Sequence, residues 1–156
     1  MTTHEQRMCE SQASFFEMSY DAFNCGSPLF ISRFMNSDVA KQLDNVDDCY
    51  NFISPNNLIT IMAMQFDSLS STKGSKYPKK VLHWIGYTYR AWSLLKHKKS
   101  SSIYKDCPAE KLLSLYEVFH TFSIEYCIDR LEEIINQNKP QYDDYTIFRK
   151  VMLEQN

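Results

Sequence analysis

Apolar residues along this chain recur at intervals of three and four, the spacing of one face of an α-helix. From Glu5 to Phe23, Met8, Phe15, Phe16, Tyr20 and Phe23 form a broad apolar face with Met18 at its edge, and Asn24, Cys25 and Gly26 end the segment. Ser27 before Pro28 reads as an N-cap followed by proline at the first helical position, opening a short helix through Met35. Ser37 and Asp38 start another over Val39 to Leu43. Residues 45 to 57 are polar and read as loop, with one helical turn around Tyr50 and Phe52. From Leu58 to Leu69 the spacing of Ile59, Met62, Phe66 and Leu69 favours a helix, while the β-branched run LITIMAM leaves a buried strand open. After the loop Ser70 to Tyr77, Pro78 opens the strongest helix, through about Lys98, with Val81, Ile85, Trp92 and Leu95 on one stripe and Trp84 and Tyr87 widening it. Ser100 to Ser102 cap a short helix over Ile103 to Lys105, and Pro108 begins another that reaches Phe119. Ser123 then caps the cleanest amphipathic run, Ile124, Cys127, Ile128, Leu131, Ile134 and Ile135, which Lys139-Pro140 stops. Tyr142 to Leu153 is a last helical segment.

This pattern predicts an all-α fold, a compact single-domain bundle of about six to eight helices with short loops over residues 1–156. Composition agrees. With 44% apolar and 14% aromatic residues the chain has enough to bury for one core, and three glycines are too few for the frequent turns of a β-sandwich. The start MTTHEQRMCE lacks a basic stretch followed by an apolar run, and no segment approaches the length of a membrane span. A cytoplasmic protein that makes no membrane contact is expected. The five cysteines are scattered and never form Cys-x-x-Cys, so they read as free thiols of a reducing compartment, Cys127 as a small buried hydrophobe.

The net charge of −2 conceals an asymmetry. Between Asp67 and Asp106 there is no acid, while Lys73, Lys76, Lys79, Lys80, Arg90, Lys96, Lys98, Lys99 and Lys105 supply nine positive charges, leaving the remainder at −11. The stretch 73–105 is either a face for an acidic partner or phosphate backbone, or a basic segment that neutralises the acidic rest of its own domain.

Catalytic signatures are scarce. His120-Thr121 lies between two helices, where a histidine can serve as a base or be held by backbone hydrogen bonds. Asp47-Asp48 and Asp143-Asp144 are adjacent pairs whose side chains diverge. No metal-ligand spacing or cofactor fingerprint is present, so neither a metal nor a cofactor is expected. Arg90 and His97, almost two turns apart on one helix, resemble the Arg-x(4–6)-His motif of HEPN-type helical ribonucleases, although Ala91 follows the arginine where that family usually has a polar residue. That resemblance implies an alternative function as a helical ribonuclease or RNA-binding module.

A wider resemblance covers most of the chain. The segments FFEMSYDAFNCGSPLFISRFMNSDVAKQLD, WIGYTYRAW, SSSIYK and LYEVFHTFSIEYCI resemble a family of small bacterial helical proteins encoded beside toxin genes, often ADP-ribosyltransferase-like ones, and regarded as antitoxins. The matching positions are Phe34, Met35, Ser37, Gly86, Tyr87, Tyr89, Arg90, Trp92, Ser101, Tyr104, Tyr116, His120, Thr121 and Ile128. The resemblance implies a non-enzymatic protein that neutralises a cognate toxin by direct contact. In it, Tyr87, Trp92, Tyr116 and Ile128 would build the core, with Arg90, Tyr104 and His120 as surface contacts. A scaffold without a toxin partner has the same sequence features. The segment 141–156, set apart by Pro140, reads either as a last packed helix or as a partner-binding arm anchored by Tyr145, Phe148 and Met152.

Overall fold

A computed structural model describes residues 1–45, 53–66, 74–139, 149 and 151–154. All regular structure among them is helical: α1 (Thr3–Ala22), α2 (Ser27–Met35), α3 (Asp38–Leu43), α4 (Pro55–Phe66), α5 (Lys79–Lys96), α6 (Ser100–Asp106), α7 (Ala109–Phe119) and α8 (Ile124–Asn138), with a further helical stretch at 151–154. Local chemistry explains most of the boundaries. Thr2 and Glu5 close a reciprocal capping box at the start of α1, and Ser37 and Ser123 accept N–H bonds from Ala40 and Tyr126 at the starts of α3 and α8. Segment 58–66 is helix, not strand, and begins earlier than its apolar spacing suggests, because Pro55 suits a first helical turn and the Ser54 hydroxyl accepts from Asn57 N–H. The N-cap of α2 is Gly26, one residue before the expected Ser27, whose hydroxyl accepts from Tyr77 N–H at 2.8 Å.

The most extensive helix pair is α1 against α5. Gly86 permits it: a Cβ there would lie 2.8 Å from both the Gln12 carbonyl oxygen and Phe16 Cγ. Gln12 in turn donates to the Gly86 carbonyl at 3.1 Å. Around this contact Phe30 and Phe34, one turn apart on α2, meet Phe15 and Phe16 edge to face at centroid distances of 5.0 to 5.5 Å. Helices α6, α7 and α8 also pack on α5, whose residues Tyr89, Ala91 and Trp92 are buried, while α4 lies against α1 and α3 against α2 and α6.

Among the described residues no helix is long and apolar enough to cross a membrane. At the C-terminal end, Val151, Met152 and Leu153 are about half exposed or more. Tyr145 and Phe148 lie outside the described residues.

Candidate partner-binding groove

Arg90, expected as a surface contact, is instead a core residue. Its side chain has no exposed surface and every direction of its fork is occupied: Nε donates to Gln12 at 2.9 Å, Nη1 to Asp44 at 2.8 Å and Nη2 to Ser100 at 3.3 Å. Asp44 is also saturated, accepting from Ser93 and Ser100 hydroxyls and from Ser100 N–H. Burial pulls the Arg90 pKa down from its ordinary value while the Asp44 charge opposes that shift. The network ties α1, α3, α5 and α6 together. It also separates Arg90 from His97, which is exposed and holds a left-handed conformation (φ 50°) just past the end of α5. A phosphate cannot reach both residues.

His120 does reach the surface, at the end of α7. Its Nδ1 lies 2.7 Å from the Tyr116 carbonyl, which can only accept, so Nδ1 carries the proton and Nε2 is left with a free lone pair in the neutral ring. The imidazole stacks on the Tyr116 ring at 4.4 Å, and Trp84 meets the same tyrosine edge-on at 5.5 Å. These rings line a cavity of about 280 Å³ between α5, α7 and the start of α8. Trp84, Tyr87 and Lys80 form one wall, and Phe122 and Ile124 the other. Beyond it the exposed apolar surface continues: Phe122 and Tyr126 contact each other edge to face at 5.1 Å while 47% and 49% exposed, with Val118 nearby in the chain at 59%. On the α1 side, His83 Nδ1 is 2.9 Å from Glu17 and its Nε2 3.6 Å from Glu10.

Comparison with family models, curated proteins and solved structures finds no match. The reading of the groove therefore rests on its own geometry. Of the expected contact residues, the structure puts His120 in it and leaves Tyr104 half-buried elsewhere, its ring 6.5 Å from Tyr89. Trp92, Tyr116 and Ile128 are core as expected, whereas Tyr87 is only half-buried because it faces the groove. Trp84 and Phe122 carried no site assignment in the sequence, and Lys80 entered only as part of the basic stretch; the available signal was two aromatics, Trp84 and Tyr87, flanking a stripe already filled by Val81, Ile85 and Trp92.

The basic stretch is largely consumed inside the fold. Lys79 pairs with Asp21, Lys96 with Asp129 and Lys98 with Glu132, all at 2.6 Å, while Lys76 binds the carbonyls of Tyr20 and Phe23. Cys9, Cys25, Cys107 and Cys127 are buried free thiols. Among the described residues no three His, Cys, Asp or Glu are grouped to hold a metal.

Proposed function

We propose that this chain acts by binding a partner protein in the groove between α5, α7 and α8, and that the partner is a toxin it neutralises. The observation that carries the binding reading is the open aromatic strip of Phe122 and Tyr126 with the half-buried Trp84 and Tyr87 beside them, left at the surface of a bundle whose other large rings are mostly buried. Exposed aromatics beside a concavity are the usual anchors of protein contacts, because they bury much area for little conformational entropy. The identity of the partner as a toxin, of ADP-ribosyltransferase-like type, rests on the family resemblance of segments 15–44 and 84–128. Nucleic acid is the less favoured partner, since Arg90 and four lysines of the basic stretch already have acceptors within the fold.

Co-expression tests this. A toxic protein encoded beside this chain should be neutralised by the wild type and released by Phe122→Ser, a change at an exposed position that leaves the core intact. A neighbouring product that is harmless, or one whose toxicity the wild type does not relieve, overturns the proposal.

A further inference from the structure

We infer that the groove selects a partner segment carrying a carboxylate next to a large apolar side chain, with the carboxylate seated at the Lys80 end. This rests on the binding reading above and adds the chemistry and direction of the occupant.

Along α5, Lys80, Trp84 and Tyr87 follow the i, i+4, i+7 spacing of one helix face, so the wall they make is about 10 Å long. Its two ends differ in charge. At one end the Lys80 ammonium lies over the Tyr116 ring, 6.0 Å from its centroid, and has no carboxylate partner among the described residues, unlike Lys79, Lys96 and Lys98. At the other end Glu10 and Glu125 lie close enough to Tyr87 to add to the effect of burial in raising its hydroxyl pKa, and between the ends, on the α1 side, Glu17 and Glu10 flank His83.

Between the ends are unused donors. The Trp84 indole N–H has no acceptor among the described residues, in contrast to Trp92, whose Nε1 donates to Glu132 at 2.5 Å. An apolar side chain entering the cavity packs against the Trp84, Tyr87 and Phe122 rings that line it. A carboxylate next to it meets Lys80, the one ammonium among the described residues that line the groove. The reverse orientation would set that carboxylate against Glu10 and Glu125. A cationic side chain at the Lys80 end would be repelled by that ammonium, and on the α1 side Glu10 and Glu17 already face His83.

The test uses the full chain and three fragments of one shape: 3-phenylpropionate, 3-phenylpropanol and phenethylamine, followed by the indole N–H resonances of Trp84 and the buried Trp92. The carboxylate should bind saturably and shift Trp84 first, with the alcohol and the amine about tenfold weaker or more, as befits a hydrogen bond to a charged group. Lys80→Gln, at an exposed position, should bring carboxylate and alcohol to equal affinity without changing the melting temperature. Amine binding as tight as carboxylate, or a carboxylate preference that survives Lys80→Gln, overturns the inference. So does a Trp84 resonance that no fragment moves. If the preference is absent while Phe122→Ser still releases the toxin, the occupant's chemistry is wrong and the function stands. If the preference holds while Phe122→Ser neutralises as well as wild type, the carboxylate site is upheld and the toxin is not its ligand.

Discussion

Arg90 shows what a single residue's surroundings decide. Its partners lie 78, 46 and 10 positions away at Gln12, Asp44 and Ser100. Sequence displays the charge but not the acceptors that draw it inward, which is why Arg90 reads as a contact until the fold is seen. Replacing it with methionine keeps much of the volume and leaves the Asp44 carboxylate without its counter-charge. Arg90→Met should therefore lose about 3–5 kcal/mol of unfolding free energy in urea titration, whereas a surface contact would cost almost nothing there. The thiols were easier to read as free, and Cys127 as buried on its apolar helix face; the burial of Cys9, Cys25 and Cys107 came from the fold. Burial raises the pKa of Cys9 and Cys107 to about 12 and that of Cys127 to about 11, and pushes Cys25 up as well. Thiolate is the reactive form. All four should resist alkylation at pH 8 until denaturant is added, with peptide mass mapping as the readout; rapid native labelling of any of them would contradict the packing.

At the scale of elements, helix identity was legible because apolar spacing agreed with serine caps at α3 and α8 and with the prolines at the starts of α5 and α7. The misreadings were at ends and faces. Ser27 lost its capping role to a long-range bond from Tyr77, and the outer side of α5 did not show which aromatics the neighbouring helices would leave uncovered. Two joints between elements can be tested. Gly86 is the point of closest approach of α1 to α5, and a methyl group there meets backbone and the buried Phe16 ring, neither of which can yield freely. Gly86→Ala should cost about 2–3 kcal/mol by overpacking, despite alanine's better helix propensity. A neutral or stabilising result would mean that the pair can slide apart.

The second joint holds α8 to α5 through Glu132, which accepts from Trp92 Nε1 at 2.5 Å and from Lys98 at 2.6 and 2.8 Å. Burial acts to raise its carboxyl pKa, but the bonds from Lys98 and Trp92 outweigh it and the net shift is downward from 4.5. A depressed carboxyl stabilises the fold fully above its unfolded value and ceases to do so as pH falls through the folded one. Stability should decline below about pH 4.5, and Glu132→Gln should remove part of that decline while lowering stability at pH 7 by about 1–3 kcal/mol. An acid limb identical in the variant and the wild type would contradict this assignment.

For the whole molecule, part of the charge asymmetry of the sequence resolves into internal pairing: Lys79 to α1, Lys96 and Lys98 to α8. Internal pairing was one of two legible alternatives, and only the third dimension shows which lysines take part. What the assembled surface leaves over is the aromatic groove, contributed by residues up to 47 positions apart in sequence, so no local motif announces it. The central claim is that this groove is where a protein partner docks. Its most direct measurement is the affinity of the neighbouring toxin for purified wild type and for Phe122→Ser by calorimetry. Burial of that ring in the complex predicts a loss of about 2 kcal/mol or more, roughly thirtyfold in Kd, with an unchanged melting temperature. Equal affinity for the two proteins would contradict the account.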